Sequence, residues 1–164
     1  WEAGAYSPLT NAMYMPLRNM CASLLATREG GLAMYALAFR TSIAPGTDKV
    51  GTVYAVSAET GRTLWLHEQR SGTMSLFATG GGLVFVGDVN GRFKALDHET
   101  GEVLWEVNLG SGVTGFPISY AVDGRQYVAV STGSSVTTSA FSALTPELDL
   151  GAANNIFVFA LPDR

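Results

Sequence analysis

The sequence predicts an all-β protein built from short antiparallel strands, and three observations support this prediction. Glycine is frequent, with 19 among 164 residues, and only 15% of the residues are charged, which is typical of chains with many turns. A 15-residue segment recurs along the chain, and Gly-containing turn dipeptides separate the apolar runs. A hydrophobic fraction of 47% with a net charge of only -4 excludes an intrinsically disordered chain.

The repeat organises the central part of the chain. Residues 51–65 and 91–105 align without a gap at a spacing of 40 residues, and both contain the form Ala-x-(Asp/Ser)-x-Glu-Thr-Gly-x-x-Leu-Trp. A partial third copy at 155–163 places Ala160 at the position of Ala95, 65 residues further on. The excess of 25 residues over the 40-residue spacing implies an inserted loop, which we assign to residues 133–154.

Turn chemistry and β-forming residues locate the strands. Gly61 and Gly101 stand where a hairpin needs a positive φ, and Asn90-Gly91 and Asp123-Gly124 are two-residue hairpin signals. A single helical turn is predicted at 145–148, with Thr145 as its N-cap. Strands are predicted near residues 12–17, 32–38, 52–57, 63–67, 74–78, 83–87, 92–96, 103–107, 117–122, 126–131 and 155–161.

Four short strands recurring about every 40 residues, closed by a Thr-Gly turn and a Trp, are typical of a β-propeller blade. We predict about three four-stranded antiparallel blades, at approximately 6–68, 72–109 and 113–161. An indole is large enough to bridge from one blade to the next. We expect Trp105 to be more buried than Trp65 or Trp1, because its copy has a blade on each side.

Charge and hydropathy exclude several function classes. The ten basic residues are scattered, so no nucleic-acid surface is predicted. The most apolar stretch, 20–39, is interrupted by Arg28 and Glu29, so no membrane span is predicted. No secretory signal is visible at the N-terminus, and Cys21 has no second cysteine for an intrachain disulfide.

Other candidate sites have simpler interpretations. Asp88 and Glu99 have the spacing of calcium-loop ligands, but the glycine falls at the wrong position and a strand intervenes, so an Asn-Gly hairpin explains Asp88 better. Asp97 is predicted to bond backbone N–H groups of its turn. We expect His67 and His98 to lie at the surface, because neither has a partner at metal-ligand spacing.

Several segments carry a resemblance to a known family. The repeat is similar to the tryptophan-docking motif of PQQ-type propellers, which also occurs in non-enzymatic propellers of the outer-membrane assembly lipoprotein type. More selective are 115–120 (GFPISY) and 123–130 (DGRQYVAV), which resemble a segment near the C-terminus of quinoprotein alcohol dehydrogenases. Residues 77–87 and 6–21 are also similar to stretches of these enzymes.

The resemblance implies an eight-bladed propeller that holds PQQ and calcium on its axis and oxidises a hydroxyl substrate, usually in the periplasm. It also implies that the catalytic base and the calcium ligands precede the region covered here, so no catalytic or metal residue is assigned. The carried-over cofactor contact falls on Arg18 or Asn19. The loop at 133–154 either runs over the cofactor mouth or has no role.

Two function hypotheses follow. In the first, the chain is the C-terminal part of a PQQ- and calcium-dependent alcohol dehydrogenase and is inactive alone. In the second, it is a non-enzymatic propeller of the assembly-lipoprotein type; a catalytically silent small protein derived from such a gene is a third possibility. In each case the end blades need a neighbour, which is either the missing remainder of the propeller or another copy of the chain.

Overall fold

The computed structural model describes residues 2–27, 36–135, 141–148 and 151–161. No helix within these ranges has the length and apolar character needed to cross a membrane. Thirteen strands run through the described residues: β1 (Ala5–Ser7), β2 (Ala12–Arg18), β3 (Met20–Thr27), β4 (Ala36–Ile43), β5 (Gly51–Ser57), β6 (Thr63–Gln69), β7 (Thr73–Ala78), β8 (Leu83–Asp88), β9 (Arg92–Asp97), β10 (Val103–Asn108), β11 (Ile118–Val122), β12 (Arg125–Thr132) and β13 (Asn155–Ala160).

The strands form three antiparallel sheets and one ribbon. The first sheet has the order β1-β2-β5-β6, and the second has the order β7-β8-β9-β10. The third sheet contains β11-β12-β13, and the ribbon β3-β4 is inserted between two strands of the first sheet. The all-β prediction is therefore confirmed, although the third sheet has three strands rather than four in the described part of the chain.

The two copies of the repeat fold alike because their turns have the same chemistry. Gly61 has a φ of 71° and Gly101 a φ of 75°, a region that side chains with a Cβ rarely adopt. Each glycine N–H donates to the carbonyl four residues earlier, on Ser57 and on Asp97, at 2.9 Å. The Asp97 carboxylate also accepts backbone N–H bonds within its turn, as predicted.

A shared apolar interface joins the first sheet to the second. Alternate residues of β2 and β5 point to one face, and that face meets residues of β7, β8 and β9. Tyr14 also reaches across the interface, donating its hydroxyl to the carbonyl of His98 at 2.9 Å. The buried members are Ala12, Tyr14, Val53, Ala55, Leu76, Val84, Val86 and Leu96.

The opposite face of the second sheet packs on the third sheet through aromatic rings. Phe93 is fully buried, with its ring 5.8 Å from that of Phe85 and 6.0 Å from that of Phe159. Val128 and Val130 complete the core on the side of the third sheet. The second sheet is therefore covered on both faces, whereas the first and third sheets are each covered on one.

Two local features differ from the sequence prediction. The strands β1 and β3 were not predicted, and of the strand predicted at 32–38 only residues 36–38 are described, as the start of β4. At the predicted helical turn, Leu148 N–H donates to the Thr145 carbonyl at 3.0 Å. The Thr145 hydroxyl donates to the carbonyl of Phe141 and does not cap the turn.

Candidate functional site

Arg18 lies at the end of β2, where the chain leaves the first sheet for the ribbon. Its guanidinium forms an ion pair with Glu2 and lies over the ring of Phe141, 4.8 Å from the centroid. Burial lowers the pKa of Arg18 below its usual value. Its Nε is buried and has no hydrogen-bond acceptor among the described residues, so the hydrogen-bonding capacity of the guanidinium is only partly used by the contacts described.

Asn19 follows directly and is engaged by the protein itself. Its side-chain Nδ2 donates to the Thr52 hydroxyl at 2.8 Å. Its backbone N–H donates to the Val50 carbonyl at 2.8 Å, and its carbonyl accepts the Ala44 N–H at 2.9 Å. Asn19 therefore fixes the point where the ribbon departs, and it leaves Arg18 as the better candidate for a ligand contact.

The segment 141–148 covers this end of the first two sheets. Phe141 is buried against Gly72, where an added Cβ would lie 2.5 Å from the ring. Arg70 holds the segment by donating to both carboxylate oxygens of Glu147, at 2.6 and 3.2 Å, and to the Leu144 carbonyl at 3.0 Å. Residues 136–140 and 149–150 of the predicted loop 133–154 lie outside the described residues.

The described residues suit the two implied cofactors, the quinone and the metal ion, to different degrees. Arg18 offers a charged, partly desolvated donor of the kind that a carbonyl or carboxylate oxygen accepts. Within the described ranges, no group of three or more His, Cys, Asp or Glu side chains could hold a metal ion. Among the described residues, Arg18 is therefore the candidate for a contact to a quinone oxygen, and no such cluster for a metal ion is present.

The candidate carboxylates Asp88 and Glu99 do not meet. Asp88 is buried, and one of its oxygens accepts the N–H groups of Asn90 and Arg92, each at 2.9 Å. Glu99 stands in the next turn with 75% of its side chain exposed. Asp88 therefore belongs to the Asn-Gly hairpin, as predicted.

The prediction that both histidines lie at the surface is wrong. His98 has only 13% of its side chain exposed, and the Nε2 atom of His67 is buried without a hydrogen-bond partner among the described residues. His67 lies within β6 of the first sheet, and His98 directly follows β9 of the second sheet. Sequence spacing alone could not show this, because it does not reveal which strands meet.

The two repeat tryptophans also differ from expectation. Trp65 donates its indole N–H to the His98 carbonyl at 3.1 Å, and its ring lies on Gly101, where a Cβ would be 2.5 Å away. Trp105 is 39% exposed, although its ring meets Phe159 edge-on at 5.3 Å. The prediction that Trp105 is the more buried of the two is wrong, because no turn equivalent to that of Gly101 lies over it in the described part; Trp1 is not described.

The chain is similar in sequence to a known family of dehydrogenases. A family model described as "PQQ: Glucose/ethanol/alcohol dehydrogenase, beta-propeller domain" matches residues 51–128. The chain is 34% identical over 137 residues to a quinoprotein ethanol dehydrogenase of Pseudomonas putida, covering 81% of the chain and 22% of the relative. It is 37% identical over 148 residues to a lanthanide-dependent methanol dehydrogenase of Methylacidiphilum fumariolicum, covering 80% and 23%.

Solved structures agree with the sequence relatives. A europium-containing methanol dehydrogenase superposes with a TM-score of 0.83 at 28% identity, covering 98% of this chain and 32% of that one. The quinohemoprotein alcohol dehydrogenase of Comamonas testosteroni superposes with a TM-score of 0.69 at 28% identity, covering 81% and 22%. The chain thus spans under a quarter of the length of the two curated relatives described above. From its sheets, its matched residues and these relatives, the chain is a β-propeller segment of the PQQ-dependent (quinoprotein) alcohol dehydrogenase family.

Proposed function

We propose that the chain is the C-terminal part of a PQQ-dependent alcohol dehydrogenase that oxidises a hydroxyl substrate in the periplasm. The observation that carries this proposal is the superposition of 98% of the chain on a methanol dehydrogenase at a TM-score of 0.83. The blades are then the segments 6–68, 72–109 and 113–161, with 133–154 as an insertion. The relatives favour this function over the non-enzymatic scaffold.

In this function PQQ, when bound, would supply the two-electron acceptor for oxidation of the alcohol to a carbonyl compound, and a protein base would be needed for the hydroxyl proton. The described residues contribute no acidic cluster for the metal, which is calcium in the resemblance and a lanthanide in one named relative. We therefore assign the base and the metal ligands to parts of the protein outside the described residues. The contribution of the chain is the rigid blades and one cofactor contact.

That contact is Arg18, which we assign to an oxygen at the edge of the quinone. Its guanidinium is already oriented by Glu2 on one side and by the Phe141 ring on another, which lowers the entropy lost on binding. Asn19 supports the same site indirectly through its bond to Thr52, because it fixes the backbone next to Arg18. In this proposal Asn19 is a positioning residue.

The exposed outer face of the first sheet supports the proposal that a neighbouring blade covers it. Cross-strand pairs place Tyr6 beside Met13 and Tyr54 beside both Met15 and Leu66, so these side chains share one face. All of them except the half-buried Tyr54 are exposed. A continuous exposed apolar face of this kind usually marks an interface.

The third sheet supports the same conclusion at the other end. Ile156, Val158, Tyr120 and Ile118 lie on its outer face and are exposed, with Ile156 at 78%. The strand β13 also lies at an edge, whereas the corresponding strands β5 and β9 are followed by β6 and β10. We propose that the remainder of the same propeller covers both end faces and pairs with β13; assembly from a second copy is the alternative.

The first test concerns activity. We expect the isolated chain to show no dye-linked oxidation of a primary alcohol after addition of PQQ with Ca²⁺ or a lanthanide ion, because the described residues contain no cluster of three or more side chains that could hold the metal. The full-length protein that contains these residues should be active under the same conditions. Activity of the isolated chain that is lost on mutation of one of its own carboxylates would show that the active site is misplaced.

The second test concerns Arg18 in the full-length protein. Arg18→Met removes a hydrogen bond to a charged group worth about 1.5–3 kcal/mol, so the dissociation constant of PQQ should rise at least about tenfold. Arg62→Met, in an exposed turn, is the matched control and should leave PQQ binding unchanged. Unchanged PQQ affinity in Arg18→Met would remove Arg18 from the site without affecting the family assignment.

A further inference from the structure

A buried charged cluster lies between the first and second sheets. Lys94 of β9 keeps only 9% of its side chain exposed and donates from Nζ to Gln69 Oε1 of β6 at 2.6 Å. Two carboxylates of the second sheet flank the same ammonium group. Asp88 Oδ2 lies 3.9 Å from Nζ, and Glu106 Oε2 lies 3.8 Å from it.

The cluster links the two sheets through a neutral acceptor. The Gln69 side chain accepts from Lys94 with its oxygen and donates from Nε2 to the Thr73 hydroxyl at 3.3 Å. Because an amide does not titrate, the bond from Lys94 to Gln69 persists whatever the protonation state of the carboxylates. Gly51 permits this contact between sheets, since an added Cβ would lie 2.5 Å from the Thr73 backbone nitrogen.

Five charged or titratable groups face this cluster from the described strands. β6 contributes His67, β8 contributes Asp88, β9 contributes Lys94 and Arg92, and β10 contributes Glu106, while the facing residues of β7 do not titrate. Arg92 pairs with Glu106 at 3.0 Å, so these two charges largely offset each other. What remains is the Lys94 ammonium, the Asp88 carboxyl and the His67 imidazole.

The pKa values of Asp88 and His67 are shifted in opposite directions, so acidification has opposite effects on their contributions to stability. Burial raises the pKa of Asp88 from 3.8 to about 6, despite its hydrogen bonds from Arg92 and Asn90 and the nearby ammonium. Burial and the charge of Lys94 lower the pKa of His67 below 6.5. As the pH falls through about 6, the folded Asp88 takes up a proton that the unfolded chain binds only near 3.8, so acidification favours the folded junction. Because its pKa is lowered in the folded state, His67 binds a proton less readily there than in the unfolded chain, where its pKa is 6.5. Its titration therefore makes acidification disfavour the folded junction.

We propose that this cluster is a proton-compensated lock, in which the neutral Gln69 acceptor lets Lys94 hold the two sheets together while Asp88 and His67 offset each other as the surroundings acidify. The proton enters on Oδ2, because Oδ1 accepts two backbone N–H groups and Oδ2 does not. Protonated Asp88 leaves Lys94 with less negative charge nearby, which further opposes protonation of His67. The lock does not depend on the bound cofactor or on the proposed dehydrogenase activity.

Hydrogen exchange with mass spectrometry on the full-length protein tests the lock locally. Peptides covering β6 and β9 are compared at pH 7 and pH 5, after correction for the intrinsic exchange rate. Asp88→Asn keeps the acceptor for the two backbone N–H groups and removes the titration, so protection at pH 5 relative to pH 7 should be lower than in the unmodified protein. His67→Gln removes the opposing group, so the same ratio should be higher.

Two further variants supply a control and a replacement for Asp88→Asn. Glu99→Gln removes an exposed carboxylate from the neighbouring turn and should reproduce the unmodified pH response. If Asp88→Asn does not fold, Asp88→Ser offers the same backbone acceptor without a charge and should shift the ratio in the same direction. Shifts of the same sign in the Asp88 and His67 variants, or a pH response unchanged in both, would overturn the proposal.

Discussion

The two junctions between sheets use different physics although they share the second sheet. The junction with the first sheet combines an apolar cluster with the polar group around Lys94, and Trp65 closes it by donating to the His98 carbonyl. The junction with the third sheet is lined by stacked aromatic rings, and its outer rim is left open at Trp105. The two similar repeat sequences thus acquire different environments from the sheets that pack against them.

The repeat sequence determines a local hairpin, whereas the neighbouring sheet determines how much of its Trp is buried. Both copies bend in the same way, since the strand pairing skips Leu64 in one and Leu104 in the other, just before each Trp. Only Trp65 has the next glycine turn beneath its ring. Its counterpart, Trp105, would need the fourth strand and turn of the third sheet.

The largest effect is expected in the aromatic junction. Phe93→Ala should lower the free energy of unfolding by about 3–5 kcal/mol, because the fully buried ring contacts aromatic partners in both sheets. Urea denaturation measures the loss. Phe116→Ala is the matched control, since its ring is mostly exposed and its removal should change stability by less than about 0.5 kcal/mol. Equal losses in the two variants would contradict the aromatic core.

A pair of glycine substitutions sharpens the comparison of the two tryptophans. Gly61→Ala and Gly101→Ala place a Cβ at nearly the same positive φ, but only the second meets a ring, that of Trp65. We expect Gly101→Ala to cost about 1–3 kcal/mol more than Gly61→Ala, because overpacking adds to the backbone strain. Thermal or urea midpoints of the two variants give the difference. Indistinguishable midpoints would remove the docked contact at Trp65.

A smaller effect of about 1–3 kcal/mol is expected at the polar junction, because Gln69→Leu leaves the buried Lys94 ammonium without its neutral acceptor. Gln126→Leu is the control, since that exposed amide bonds only the Ser119 hydroxyl among the contacts described. Urea midpoints at pH 7 compare the two variants. A Gln69→Leu protein as stable as Gln126→Leu would mean that Lys94 finds solvent instead.

Much of the fold could be predicted because the repeat combines turn glycines with β-forming strands. The hairpins at 51–65 and 91–105, the Asn-Gly turn after Asp88 and the bonds of Asp97 all follow from local chemistry. The short β1 has no turn signal of that kind, and the pair Gly30-Gly31 between β3 and β4 in the sequence did not reveal β3. Burial of His67 and exposure of Trp105 depend on which sheets face each other, and local patterns do not contain that information.

The candidate site shows the same division. Sequence similarity directed attention to residues 18 and 19, and the register was uncertain by one position. The structure separates them, because Asn19 is engaged by Thr52 while the Nε of Arg18 has no acceptor among the described residues. No sequence signal pointed to the contact of Arg18 with Phe141, since the two are far apart in the chain.

We propose that further blades complete this segment, and the solution state of the isolated chain tests that proposal most directly. Size-exclusion chromatography with light scattering should be combined with binding of a hydrophobic dye to the isolated chain. The exposed apolar faces of the first and third sheets predict dye binding, association or both. A soluble 17.3 kDa monomer that persists at high concentration and binds no dye would contradict the claim.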